Sequence, residues 1–153
     1  MREALFSMLI SRLGDFSGLR FADLFAGSGA LGFEALSRGA ATCTFVEQDR
    51  DALGALRANA AALGVTRADI RAQSVMALGP ASEPYDVLMV DAPYGTGAGG
   101  AALDRLLRLG WIAPGALASV ETARDEQFVV AGLETLAERN QGKAKLTLLR
   151  RPA

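Results

Sequence analysis

The chain has 153 residues, enough for one domain with a sizeable core. Half of the residues are hydrophobic and 22% are charged, with 16 basic and 17 acidic side chains, so no global charge favours a polyanion. One cysteine and no histidine exclude an intrachain disulfide, histidine acid–base catalysis and histidine metal ligation.

In chain order, "MREALFSMLISRL" places Leu5, Phe6, Leu9, Ile10 and Leu13 on one helical face. It carries Glu3 and no cleavage pattern, so it does not read as a signal peptide. No stretch is apolar and long enough to span a membrane, and a cytoplasmic location is expected. "GDFSG" reads as a loop, "LRFADLF" as a strand, and "ALGFEALSRG" as a helix closed by Gly39. "ATCTFVEQD" is β-branched and apolar, a second strand in which Cys43 is expected as a buried thiol. "RDALGALRANAAALG" is alanine-rich and helical, and "ADIRAQSV" is a weaker strand. "YDVLMVDAP" is nearly all apolar, like a strand covered on both faces. "GTGAGG" is expected as a flexible loop, "AALDRLLRLG" as a helix, and "APG" as a turn into the strand "ALASVET". The tail "LETLAERNQGKAKLTLLRR" is expected to form two strands around Gln141-Gly142-Lys143.

Alternating strands and helices predict an α/β fold: a doubly wound, mainly parallel sheet with helices on both faces. Ligands of such sheets sit beyond the C-terminal strand ends. Those ends gather Asp23 to Gly29, Glu47 to Asp49, Ser74 to Met76 and Asp91 to Tyr94.

The loop Gly27-Ser28-Gly29-Ala30-Leu31-Gly32 satisfies G-x-G-x-x-G, the pattern of a dinucleotide turn. A pyrophosphate needs free N–H groups and no adjacent anion, yet Asp23 precedes the loop. A carboxylate there suits a ligand with ammonium or sulfonium charge, as S-adenosylmethionine has. Glu47, ending the next strand, can accept from the two ribose hydroxyls of that ligand. A helix cap or loop anchor is the plain structural alternative for Asp23, a solvated acid for Glu47, and tight packing for the glycines.

"DAPY" adds a chemical function. The amine of a nucleobase is a poor nucleophile because its lone pair is delocalised into the ring. Two acceptors on its N–H groups favour a pyramidal nitrogen. Asp91 offers its carboxylate, and Ala92 its carbonyl, held because Pro93 restricts the residue before it. Tyr94 offers a ring on which a base can stack. The alternative is an ordinary Asp-x-Pro turn.

"REALFSML", "DLFAGSGALGFEALSRGA", "VEQD" and "DAPYG" together resemble the class I S-adenosylmethionine-dependent methyltransferases, and among them the RsmD type, which methylates guanine N2 in small-subunit ribosomal RNA. The resemblance runs from Arg2 to "GKAKLTLLRR". It implies a seven-stranded Rossmann-like sheet with the last strand antiparallel, in a single methyltransferase domain over 1–153. It implies cofactor contacts from Asp23 and from Phe25, Ala26, Gly27, Ser28 and Gly29, the ribose on Glu47, the adenine side on Gln48, and its edge on Ser74 and Val75. Catalysis falls to Asp91, Ala92, Pro93 and Tyr94, with no metal.

The implied partner is small-subunit ribosomal RNA, in a ribosomal subunit or assembly intermediate, met by a monomer. Ala92 stands where the family motif has its first proline. The family's usual basic N-terminal segment is expected to be lacking. Arg2, Arg12, Arg20, Lys143, Lys145, Arg150 and Arg151 are candidate phosphate contacts. Amine methylation of DNA adenine or cytosine, or of protein glutamine, uses the same acceptor geometry. An NAD-dependent oxidoreductase keeps the glycine loop but leaves "DAPY" without a role. A non-catalytic cofactor-binding or RNA-assembly protein would not need Asp91.

Overall fold

The computed structural model describes residues 2–153. The chain divides into two compact units, essentially Arg2–Leu78 and Gly79–Ala153.

The first unit contains α1 (Arg2–Leu13), β1 (Arg20–Leu24), α2 (Ala30–Ser37), β2 (Thr42–Glu47), α3 (Arg50–Ala62), β3 (Ala68–Ala72) and a short 3-10 turn over Val75–Ala77. Its strands run in the order β3-β2-β1, both pairs parallel. β1 and β2 are buried on both faces, as parallel strands under helices must be, with Asp23 and Thr44 the buried polar residues among them. α1 buries Leu5, Phe6 and Leu9, whereas Ile10 is 41% exposed, so the apolar stripe is narrower than the periodicity predicts. Phe6, Phe16 and Phe21 form a chain of tilted rings beneath it. Cys43 is fully buried as expected, and burial together with the Asp23 carboxylate pushes its thiol pKa up.

The second unit contains β4 (Tyr85–Val90), α4 (Ala98–Arg108), β5 (Ile112–Ala123), β6 (Glu134–Gln141) and β7 (Ala144–Arg150), in the strand order β4-β5-β7-β6. β4 and β5 are parallel, and β7 runs antiparallel to both β5 and β6, so the last strand is the reversed one, as expected. β6 and β7 turn through Gly142, whose φ is 59°, at the expected place. The seven expected strands are all present.

Two boundaries differ from the sequence expectation. The first concerns Ala98, Gly99 and Gly100, read as loop; they open α4. The turn is made one residue earlier, by Gly97 at φ 72°, and the Thr96 hydroxyl accepts from Ala98 N at 3.2 Å. Gly99 and Gly100 are glycines for packing: an added Cβ would stand 2.8 Å from Val120 and 3.0 Å from Phe128. The second concerns "APG", which lies within β5, with Gly115 N donating to Arg151 O at 2.7 Å.

Candidate functional site

The glycine loop lies between β1 and α2. Phe25 leaves β1 with φ 61°, a left-handed conformation that a bulky side chain adopts only under constraint. Gly27 and Gly29 follow at φ 59° and 89°, the second closing the turn through Gly29 N to Ala26 O at 2.9 Å. Ala26 N is tied to Val46 O at 3.0 Å, and Asn59 Nδ2 to Ser28 O at 3.1 Å. The loop is therefore fixed from β2 and from α3.

Its pattern glycines spend their N–H groups inside the protein. Gly27 N donates to Glu47 Oε1 at 2.7 Å, and Gly32 N to Asp23 Oδ2 at 3.0 Å. With Gly29 N on Ala26 O, none of the three is left for a pyrophosphate. Asp23 is 1% exposed and places its negative charge at the start of α2, where an anionic ligand would otherwise be attracted. That arrangement disfavours a dinucleotide and favours a cationic ligand. Gly32 also fills a packing role: a Cβ there would lie 2.2 Å from the Phe45 ring and 2.8 Å from Cys43 Sγ.

Glu47 ends β2. Besides Gly27 N it accepts from Gln48 N at 3.0 Å and Asp49 N at 2.8 Å. A carboxylate has about four lone-pair sites, so three internal bonds leave room for a hydroxyl donor. The sequence marks an acid at the end of β2; the backbone bonds by which it pins the loop appear only in the fold. Gln48 is exposed beside Glu47. Asp49 caps α3 by accepting from Ala52 N at 2.9 Å. Ser74 caps the 3-10 turn, its hydroxyl accepting from Met76 N at 3.2 Å, and Val75 is buried. From these two residues a ligand would meet backbone more than side chain.

The acceptor candidate lies in the other unit, after β4. Ala92 is buried, while Asp91, Pro93 and Tyr94 are exposed, Tyr94 at 48%. Thr96 Oγ1 donates to Pro93 O at 2.9 Å, closing a tight turn. Two acids of the neighbouring segment hold this turn. The Tyr94 hydroxyl donates to Glu121 Oε1 at 2.5 Å, and Gly95 N donates to Glu126 Oε1 at 2.6 Å. Desolvation, then the charge and hydrogen bonding of Glu121, raise the Asp91 pKa from 3.8 to about 6. Desolvation and the same Glu121 carboxylate push the Tyr94 hydroxyl pKa up. Glu121 is the residue the sequence reading overlooked. Its signal was parallel pairing: Val90 faces Val120, so Asp91 and Glu121 follow each other at adjacent strand positions.

Of the candidate phosphate contacts, Arg150 is paired with Glu134 at 2.8 Å, Arg151 donates to Ile112 O at 2.6 Å, and Lys145 is buried. Arg2 lies 4.0 Å from Glu34, and Lys143 is exposed. Within the tail cluster Lys145 and Arg151 are held by the fold, whereas Lys143 and Arg150 lie at the surface. Among the described residues no helix is long and apolar enough to cross a membrane.

Known structures match this architecture across almost the whole chain. A Haemophilus influenzae protein described as a methylase shares 31% identity at a TM-score of 0.88, covering 99% of this chain and 96% of that one. An Escherichia coli protein described as a methyltransferase shares 33% at 0.89, covering 99% and 86%. The fold is that of the Rossmann-like α/β methyltransferases. The family described as conserved hypothetical protein 95 matches residues 1–150, and the chain belongs to that methyltransferase family, the RsmD family.

The chain is 34% identical over 134 residues to the ribosomal RNA small subunit methyltransferase D of H. influenzae, covering 84% of this chain and 68% of that one. It is 38% identical over 123 residues to the protein of that name from E. coli K12, covering 80% and 61%. The chain thus spans about two thirds of these relatives' lengths.

Proposed function

We propose that this protein transfers a methyl group from S-adenosylmethionine to the exocyclic N2 amine of a guanine in small-subunit ribosomal RNA. The observation that carries the reading is the acceptor turn. Asp91 and the Ala92 carbonyl are set at the end of β4, with Tyr94 held by Glu121 and Gly95 by Glu126. The relatives named for ribosomal RNA methylation support the substrate class.

The cofactor, when bound, supplies an electrophilic methyl group on a sulfonium. Asp23 contributes a buried negative charge beneath the glycine loop, complementary to a cation. Glu47 takes ribose hydroxyl donors while anchoring Gly27, with Gln48, Ser74 and Val75 on the adenine side. Phe25 through Gly29 form the fixed backbone of the cradle.

At the acceptor, Asp91 and the Ala92 carbonyl each accept an N–H of the target amine, and Tyr94 stacks on its ring. As the nitrogen–methyl bond would form and the methyl–sulfur bond would break, nitrogen would gain positive charge and its hydrogen bond to Asp91 would strengthen. Such an interaction lowers the barrier because it grows in the transition state. Asp91 receives the departing proton, which a carboxylate with a pKa of about 6 holds better than an ordinary one.

The test offers labelled S-adenosylmethionine and undermethylated small ribosomal subunits to the protein, then maps the label. Label on guanine N2 is the expected result. Label on another base amine or on a ribosomal protein instead would move the activity to that amine, and calorimetry showing NAD but not S-adenosylhomocysteine binding would overturn the cofactor.

A further inference from the structure

The unit that carries the acceptor turn also holds a cavity of about 230 Å³ lined by Gln127, Phe128, Thr135, Glu138, Lys145 and Thr147. It lies under the segment that follows β5. In the antiparallel register Thr122 faces Lys145 and Val120 faces Thr147, so both lining residues of β7 share the sheet face on which α4 packs Gly99. Phe128 bounds the cavity on one side and rests on Gly100 of α4.

The lining is polar and incompletely satisfied. Thr147 is 3% exposed, and its hydroxyl has no hydrogen-bond partner among the described residues. A buried hydroxyl without a partner is costly and rare in native folds. Lys145 is 8% exposed, donates to Glu126 O at 2.7 Å and lies 4.0 Å from Glu138 Oε2. Ammonium, hydroxyl, amide and carboxylate together present both donors and acceptors, beside one aromatic ring. The Glu138 carboxylate disfavours a phosphate. The volume falls below the ~300 Å³ at which sites for drug-sized ligands begin, and suits a single ring system. The edges and the ring match a nucleobase, which is read by hydrogen bonds to its edge and by stacking.

Its place supports the same ligand. Glu126 grips Gly95 of the acceptor turn with its carboxylate and Lys145 of the cavity with its carbonyl. β7 lies two strands from β4 in the sheet order, about 10 Å at the usual strand spacing. Both features sit at the end of the sheet where β4 and β5 finish and β7 begins. We propose that this cavity receives the base of a nucleotide neighbouring the methylation target, so that the protein reads the flank of its target as well as the target itself. The proposal rests on the RNA methyltransferase reading above.

Thr147→Val and Gln127→Ala are the test variants, assayed with saturating cofactor on undermethylated subunits and on RNA fragments that are abasic at single positions flanking the target. Thr147→Val deletes a hydroxyl that no protein group uses, so its thermal midpoint should match or exceed that of the unaltered protein. Each variant should raise KM for RNA roughly tenfold with kcat nearly unchanged, the scale of one lost hydrogen bond. One abasic position should impose a similar loss on the unaltered protein and little more on the variants. Unchanged KM in both variants, or losses that add fully at every abasic position, would overturn the proposal. No methyl transfer to RNA by the unaltered protein would overturn the underlying reading, a result distinct from transfer without dependence on the cavity.

Discussion

Replacing Gly32 by Ala isolates what the third glycine of the loop is for. The new Cβ would lie 2.2 and 2.6 Å from two carbons of the Phe45 ring and 2.8 Å from Cys43 Sγ, where carbon contacts normally sit at about 3.5–4.0 Å. Phe45 cannot move aside freely. It is fully buried and packed on Phe33 with ring centroids 4.8 Å apart. Overpacking of this kind costs about 1–3 kcal/mol, and the deficit of more than an ångström points to the upper end. Alanine's better helix propensity returns up to about 1 kcal/mol. The net expectation is a loss of about 2 kcal/mol, or roughly 4–8 °C in thermal midpoint for a chain of this size.

Gly54→Ala is the matched control. It lies exposed in α3 with nothing within 4 Å of the added carbon, so it should gain about 0.5–1 kcal/mol. Thermal unfolding followed by circular dichroism reads both. S-adenosylhomocysteine affinity measured well below the midpoint should be nearly unchanged in Gly32→Ala, because its N–H still reaches Asp23. Full stability with lost affinity would show that this glycine faces the ligand and that the packing argument is wrong.

Three further outcomes follow from the site. Methyl transfer should rise with pH through about 6 as Asp91 ionises; Glu121→Gln should move that midpoint toward acid, though not to 3.8, because desolvation remains the largest cause. A pH profile that does not respond to Glu121→Gln would break the link between the two carboxyls. Because the folded-state pKa of Asp91 is raised, the folded chain holds its proton more tightly than the unfolded one between about pH 4 and 6. The contribution of Asp91 to stability therefore falls across that window, and Asp91→Asn should raise the thermal midpoint at pH 7 relative to the difference seen at pH 4. Glu47→Ala should weaken S-adenosylhomocysteine binding by about 1.5–3 kcal/mol in calorimetry, since it removes hydrogen bonds to a charged group; affinity within twofold would remove Glu47 from the cofactor site.

Much of the architecture could be read from periodicity and punctuation. β1, β2 and β4 announce themselves as apolar runs, and Gly39, Gly64 and Gly142 mark the ends of α2 and α3 and the β6–β7 turn at positive φ. The start of α4 was hidden because Gly99 and Gly100 look like loop residues, and only the packing of Val120 and Phe128 explains them. Candidate site residues could be named from residue type and strand-end position alone, as at Asp23, Glu47 and Asp91. Pairing between distant strands was opaque. Glu121 and Glu126 are ordinary acids in the sequence and become supports of the acceptor turn only through the register of β4 and β5 and the bend after it. The charges of Arg150 and Arg151 look alike in the sequence, yet Arg151 is tied to Ile112 O while Arg150 stays at the surface paired with Glu134.

The role proposed for Asp91 in the chemical step is open to direct measurement. Single-turnover methyl transfer, with cofactor bound and ribosomal RNA substrate saturating, should slow by roughly 100- to 1000-fold in Asp91→Ala, the scale of losing one preorganised polar group. Asp91→Asn should slow it less than Asp91→Ala, because the amide oxygen still accepts a hydrogen bond, but it should lose the rise with pH, because an amide cannot take the proton; cofactor affinity should hold in both. Transfer by Asp91→Ala at a rate close to that of the unaltered protein would mean that Asp91-Ala92-Pro93-Tyr94 is a turn and nothing more.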